Sequence, residues 1–461
     1  MRLDRVREKA LVPVDAASLA AFRIFFGVLV AIGAIRFLVY GWVEQFFERP
    51  TFFFKYWGFE WVQVLPHPWM HVAFGTLAVL GVLIALGLFY RVAIVLFFLL
   101  FTYVELIDVT NYLNHYYLVS VLAFWMCFLP LGRVGGLDAR RLGRLPTLPA
   151  WMLMALRFQV AVVYVHAGLA KLTGDWLLHA QPLDIWLHAR TEVPVIGPLL
   201  DEPGVPYVFA WAGFLYDTTI PFWLSWRRTR ALAYVVLLGF HLATHLLFNI
   251  GMFPLIMSAV ATVFFDPSWP RRLGRLFGGR LLPSPRDEAP TTRDEASTPR
   301  LPLALAAGLA LFALVQALAP LRAHLYRGDL LWHEQGMRWS WRVMCREKDG
   351  SVSYRARVAG RDRELVVPPS RYLTSYQERE MSTQPDLVLQ LAHHVADELR
   401  ARGHRDVEVR ADVLVSLNGR APSRLVDPEV DLARIEDGVA PARWILPAPE
   451  EAPAHLARGT R

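Results

Sequence analysis

Long apolar runs separated by short polar breaks recur through the first 270 residues of the chain and once more just after residue 300. A helix needs about 20 consecutive apolar residues to cross the hydrocarbon core of a bilayer. Runs near that length occupy 19–40, 70–89, 92–107, 114–131, 151–170, 207–226, 231–248, 250–265 and 301–320. The run at 250–265 is the marginal one and reads equally well as a re-entrant segment. Beyond residue 321 the pattern becomes that of a soluble domain. Trp339-Ser340-Trp341-Arg342-Val343, Val352-Ser353-Tyr354-Arg355-Ala356 and Val407-Glu408-Val409-Arg410-Ala411 alternate as half-buried strands do. Residues 386–402 have helical periodicity that stops at Gly403. Residues 281–300, rich in Pro, Thr, Arg and acidic side chains, read as a linker. The pattern predicts a mainly α polytopic membrane bundle of about nine transmembrane helices followed by a strand-rich α+β extracytoplasmic domain. The divisions are a bundle over 1–280, a cytoplasmic linker over 281–300, a last transmembrane helix over 301–320 and the outer domain over 321–461.

Charge supplies the orientation. Cytoplasmic loops carry the excess of Arg and Lys. With the N-terminus inside, Arg2, Arg5, Arg7, Lys9, Arg91, Arg133, Arg140, Arg141, Arg144, Arg227, Arg228, Arg230 and the run from Arg271 to Arg300 are cytoplasmic. Arg49, Lys55, Lys171 and Arg190 then fall outside. The net charge of +7 is therefore mostly topology, and no nucleic-acid partner is expected. With 54% hydrophobic and 19% charged residues the chain is not disordered. Two cysteines, Cys127 and Cys345, build neither a disulfide framework nor a cysteine metal site.

Ionisable groups inside spans are costly, and they mark cavities, pathways or helix-bridging pairs. Asn111 and His115 at the start of the fourth run are four apart. Either they belong to an interfacial aromatic belt with Tyr112, Tyr116 and Tyr117, or they point into a site. In the fifth run Arg157, Tyr164 and Lys171 recur at steps of seven and share a stripe. Lys171 is one of only four lysines, with Lys9, Lys55 and Lys348, among 48 basic residues. Arginine snorkels as well as lysine but cannot lose its proton, whereas a lysine in an apolar recess can serve as a base. Asp217, a lone carboxylate in the sixth run, is expected to pair structurally with a buried arginine such as Arg23 or Arg157. His241, His245 and Asn249 follow at steps of four. Two histidines at that spacing can hold a metal, but no glutamate or second box accompanies them, so no metal is expected. His393 and His394 are expected at the surface of the outer domain. Apolar walls with a few convergent polar groups near one leaflet suit a lipid-soluble quinone.

Several strings resemble vitamin K-dependent γ-carboxylase and its bacterial relatives, which share an HTTM membrane region. They are Pro13-Val14-Asp15 with Ala16 to Leu19, Leu113-Asn114-His115-Tyr116-Tyr117-Leu118, and Tyr164 through Ala170-Lys171-Leu172 to Asp175-Trp176. Phe240-His241, Phe248-Asn249-Ile250-Gly251-Met252-Phe253, Trp269-Pro270-Arg271-Arg272-Leu273, Arg338-Trp339-Ser340-Trp341 and Asp427-Pro428-Glu429-Val430-Asp431 complete the set. The resemblance implies a lyase-type carboxylase that converts protein glutamate to γ-carboxyglutamate. Its cofactor would be reduced vitamin K, as menaquinol or phylloquinol drawn from the bilayer, with O2 and CO2 as co-substrates. In the family, a lysine at the position of Lys171 deprotonates the quinol. Oxygen then converts the quinol to an epoxide, and the strong base so made removes the γ-proton. The resemblance further implies that His115 serves the carbanion and carboxylation step. Asn114, Tyr164, His241 and Asn249 would surround the cofactor, with Arg157 and Asp217 as structural polar groups. Animal members carry a double lysine where this chain has Ala170-Lys171, and a cysteine pair joining the two parts looks absent. The implied partners are membrane lipids and a glutamate-containing protein or peptide, and the implied location is the cell membrane. Two other readings stand beside this one: a quinol oxygenase or epoxidase acting on a different substrate, and a non-enzymatic membrane carrier or scaffold.

Overall fold

The computed structural model describes residues 8–248, 250–276, 302–451 and 453. The linker read at 281–300, Asn249 and the basic residues Arg2, Arg5 and Arg7 lie outside the described residues. Most of the chain is helical.

Helices occur at each of the apolar runs. In chain order they are α1 (Ala17–Val39), α2 (Trp69–Leu86), α3 (Tyr90–Glu105), α4 (Asn114–Cys127), α5 (Ala150–Ala170), α6 (Val205–Ser225), α7 (Arg230–Leu247), α8 (Phe253–Val260) and α9 (Leu303–Leu318). Among the described residues, five are long and apolar enough to cross a membrane: α1, α2, α5, α7, and α9 with its continuation to Leu325. α6 has the length, but Asp217, Thr218, Thr219, Pro206 and Pro221 dilute its apolar stretch. α3 and α4, of 16 and 14 residues, are shorter than a span usually is. The marginal run at 250–265 forms only the eight residues of α8 and a 3-10 turn at Ala261–Phe264.

The closest helix pair is α1 against α2. A Cβ at Gly27 would lie 2.4 Å from the backbone nitrogen of Ala85, and one at Gly81 would lie 2.9 Å from Ala31 Cβ. Small residues let backbones approach where lipid supplies no hydrophobic drive for association. Arg23, 1% exposed, does not seek a carboxylate. Its guanidinium donates to the carbonyls of Ile84 and Ala85, at 2.9 and 2.7 Å, in the last turn of α2. Arg157 does the same for Val263 and Phe265, at 2.7 and 3.0 Å. A short antiparallel ribbon of β1 (Pro13–Asp15) and β2 (Thr147–Pro149) ties the start of α1 to the start of α5. Asp15 accepts from the Ala17 N–H and pairs with Arg271 at 2.9 Å.

The C-terminal region contains a four-stranded antiparallel sheet in the order β4-β3-β5-β6. β3 is Lys348–Arg357, β4 Leu365–Val367, β5 Glu408–Leu417 and β6 Ser423–Arg424. The two long strands pair from Lys348↔Leu417 to Arg357↔Glu408. Their inward residues Tyr354, Ala356, Val409, Ala411, Val413 and Val415 share a core with α10 (Ser375–Ser382) and α11 (Pro385–Ala401). α11 ends before Gly403, whose φ of +86° suits glycine. Two of the three expected strands are therefore present. Trp339-Ser340-Trp341-Arg342-Val343 is not one of them. Trp339, Trp341 and Met344 all have positive φ, at 59°, 59° and 51°, which no strand tolerates. His393 and His394 are partly buried rather than at the surface. His393 bonds to the carbonyls of Leu432 and Ile435, and His394 packs on Phe52 and Tyr372.

The sheet docks on the bundle through polar pairs. Arg420 grips Asp175 with two nitrogens, at 2.6 and 2.8 Å, and Asn418 donates to the same carboxylate at 2.7 Å. Burial opposes the charge on Asp175, but these bonds outweigh it and hold its pKa below the ordinary carboxylate value. A group depressed in this way stabilises the fold above the unfolded-state pKa of about 3.9, and that contribution fades as pH falls through the folded value. Asp175→Asn, which strands Arg420 without its carboxylate, should cost about 3–5 kcal/mol. The stability gap to wild type in denaturant titrations should stay constant from pH 8 to 5 and narrow below about pH 4. A gap that instead widened in acid would contradict the pairing.

Candidate active site

Two cavities lie inside the bundle, back to back. The smaller, about 250 Å³, is lined by Tyr164, Lys171, Trp176, Asp217, Phe240 and His241 among others. The larger, about 510 Å³, is lined by Arg36, Glu105, Asn111, Asn114, His115 and Tyr376 among others. Ile250, Phe253, Val343 and Met344 line both. The partition is thus made of the segment entering α8 and a strap of the outer domain that dips between the helices.

Lys171 sits at the C-cap of α5 and is 5% exposed. Its Nζ donates to Asp217 Oδ2 at 2.8 Å, to the Ala167 carbonyl at 3.2 Å and to the Val343 carbonyl at 3.5 Å. The same nitrogen stands 5.1 Å from the Trp176 ring centre. The expectation that Asp217 pairs with Arg23 or Arg157 is therefore wrong. Those arginines are consumed by helix-end carbonyls, and the carboxylate belongs to the lysine. Gly168 makes the pairing possible. A Cβ there would lie 2.4 Å from Thr218 Cγ2 and 2.7 Å from Thr218 N, so only glycine lets α5 and α6 come close enough to join residues 171 and 217. A buried ion pair is strongly destabilised when one partner alone is removed, by about 3–5 kcal/mol, because a lone charge is left behind. Asp217→Leu alone should lower the melting temperature in detergent sharply, and Lys171→Met added to it should recover much of the loss. Additive losses would rule out the pair.

Tyr164 and His241 meet across the same cavity, the hydroxyl 2.8 Å from Nε2. The Tyr216 ring stacks on Phe240 at 3.9 Å and meets Tyr164 edge-on. His245, one turn beyond His241, is exposed, so the two histidines do not converge. Asn249 lies outside the described residues. In the larger cavity His115 is 8% exposed and meets Tyr116 and Phe253 edge or tilted, and its ring nitrogens have no hydrogen-bond partner among the described residues. Asn111 precedes α4 in a 3-10 turn rather than sharing a helix with His115, yet both line this cavity. Asn114 accepts from the Tyr112 hydroxyl at 3.1 Å and donates to the Arg342 carbonyl at 3.2 Å, which fastens the strap to α4. Of the predicted polar residues that the structure describes in the spans, Arg157 and His245 lie at neither cavity.

Sequence reasoning missed the strap and two charged groups. Glu105 ends α3 and is hydrogen-bonded by Ser120. Arg36 lies over the Tyr40 and Trp42 rings and lines the cavity beside it. Both had a signal, a charge near the end of an apolar run, but they resemble ordinary helix-end charges until the walls are drawn. Cys127 and Cys345 are both free thiols.

This architecture is a helical membrane bundle whose polar core is closed by a strap from a strand-containing extracytoplasmic domain, and the comparisons place it. The HTTM domain family matches residues 11–269, more than half of the chain, so the chain belongs to that family. The family described as vitamin K-dependent gamma-carboxylase, lumenal domain, matches residues 302–451, and the chain is therefore a member of the γ-carboxylase-like family. No solved structure matches it.

Proposed function

We propose that this protein is an integral-membrane, quinol-dependent carboxylase that converts glutamate side chains of a protein or peptide to γ-carboxyglutamate while its quinol is epoxidised by O2. The observation that carries the reading is the pair of back-to-back cavities with Lys171 in one and His115 in the other. The smaller cavity suits a reduced naphthoquinone: its walls are aromatic and aliphatic, with Trp176, Phe240, Phe248 and Met257 around a few polar groups. When bound, a quinol consumed by oxygen supplies the strong base that a γ-carbon acid demands.

The chain's own part is to position groups and move protons. The Lys171–Asp217 pair can pass a proton internally, leaving an amine and a carboxylic acid with no net change in buried charge. In that form Nζ has a lone pair with which to take a phenolic proton. Tyr164 and His241, locked together, orient an oxygen of the same ligand. The aromatic walls keep out water that would quench a strong base. His115 in the larger cavity faces the glutamate, and Arg36 offers a cation to its carboxylate. Asn114 holds both the strap and the rim of that cavity. Roles for Lys171 and His115 as catalytic groups, and for Tyr164 and His241 at the cofactor, follow from the family resemblance together with these positions, while cofactor roles for Asn114 and Asn249 follow from the resemblance alone.

We further assign the N-terminus to the cytoplasm, the domain over 321–461 to the extracytoplasmic side of the cell membrane, and menaquinol or phylloquinol as cofactor. The test is the full chain in liposomes with reduced menaquinone, O2, labelled CO2 and a glutamate-rich peptide. Quinone epoxide together with a peptide heavier by one CO2 is expected. Epoxide without labelled peptide would favour a quinol oxygenase with another substrate. Quinol lost no faster than in protein-free liposomes would favour a carrier or scaffold.

A further inference from the structure

We propose a divalent metal site, outside both cavities, formed by Glu48, His67 and His71 and suited to a cation of the zinc class. After α1 the chain makes a π-helical turn, Glu44–Glu48, which puts Glu44 and Glu48 on one side. His67 and His71 flank the start of α2 opposite them. Glu48 Oε1 lies 3.0 Å from His67 Nδ1 and 3.0 Å from His71 Nδ1. One ligand atom from each of the three residues falls within a common span of 4.8 Å. A tetrahedral zinc, with bonds of about 2.0–2.2 Å, asks its ligand atoms to stand about 3.3 Å apart. Glu48 Oε1 already stands near that spacing from each histidine, and the two histidine donors lie within 4.8 Å of each other.

Two features distinguish the cluster from a chance meeting of exposed groups. The first is the outer shell. His71 Nε2 lies 2.9 Å from Glu44 Oε1, so the far nitrogen donates to a carboxylate while Nδ1 faces the metal position. That carboxylate–histidine relay fixes the tautomer and raises the basicity of a metal-bound imidazole. The second is an orphan. Glu44 Oε2 is shielded from water and has no hydrogen-bond partner among the described residues, although the side chain as a whole is 44% exposed. His67 is 71% exposed at its side chain, so the fourth position opens to water. The donor set, two imidazoles and one carboxylate, is that of zinc rather than calcium or magnesium, which take oxygen.

The site has a consequence for the larger cavity. Gln45, Phe46 and Phe47, which lie between Glu44 and Glu48 on the same turn, line that cavity. A metal would staple the turn to the start of α2 and hold the cavity wall in place. Because the readout is the metal itself, the result does not depend on the carboxylase reading. Tag-free full chain in detergent, stripped with chelator, would be dialysed against Zn2+, and one equivalent per chain is expected. Glu48→Gln and His71→Ala should abolish that equivalent, and Glu44→Gln should weaken it by about 10–100-fold. In wild type, Co2+ in place of Zn2+ should give the intense visible bands of a four- or five-coordinate ion. Sub-stoichiometric Zn2+, a Co2+ spectrum no different from the aquo ion, or wild-type affinity in well-folded Glu48→Gln would each overturn the site.

Discussion

Lys171→Arg is expected to lower quinol epoxidation by about 10²–10⁴-fold, the contribution of a positioned general base, while leaving the protein folded and inserted. The substitution keeps a cation beside Asp217 and so keeps the buried pair that closes α5 on α6. What it removes is the capacity to give up a proton, since a guanidinium stays charged in proteins. The measurement is chromatographic detection of quinone epoxide from proteoliposomes, with thermal unfolding as the control for the fold. The two together separate chemistry from structure, which truncation of Lys171 would not. Epoxide formation within a few-fold of wild type would remove Lys171 from the role of base and leave it a structural partner of Asp217.

His115→Ala is expected to separate the two half-reactions. The imidazole stands in the larger cavity, and Val343, Met344, Ile250 and Phe253 stand between that cavity and the amine. Epoxidation should therefore fall by no more than a few-fold, while incorporation of labelled CO2 into peptide should fall by about 10²-fold or more. The two products measured on the same sample give the ratio directly, so a loss of folded protein cancels. Equal loss of both products would place His115 in the quinol step instead and would merge the cavities functionally.

The bundle was legible because lipid imposes a strict rule: every buried backbone group must be satisfied within the segment, so apolar length alone marks helices. The same rule is silent about which helices cross. α4 is short and mostly buried among its neighbours, whereas α3, of similar length, still exposes apolar Val92, Leu96 and Leu99. Lys171, Tyr164 and His241 were found as polar exceptions in apolar sequence, and the structure brings them together at one cavity. The partner of Asp217 was not found. Choosing among Arg23, Arg157 and Lys171 requires knowing that two of them are occupied by helix-end carbonyls, which is a property of tertiary packing. The strap was misread for a different reason. Its alternation of Trp339, Ser340 and Trp341 satisfies the strand pattern, but the alternation serves burial on two sides of an irregular loop. Trp341 stacks on Tyr117 within the bundle, and Trp339 stacks on Tyr56.

Three left-handed non-glycine residues in six positions of that loop cost about 1–3 kcal/mol each, and only well-formed surroundings sustain such strain. The carbonyls of Arg342 and Val343 are within reach of Asn114 and Lys171, one on each side of the divide. The loop is therefore a cocked spring laid between the two cavities, anchored at one end in the sheet that begins at Lys348. A push on that sheet has only a short stretch of backbone to travel before it reaches the Val343 carbonyl beside the amine, so under the proposed carboxylase reading a peptide docked there would be joined to Lys171 by that short stretch.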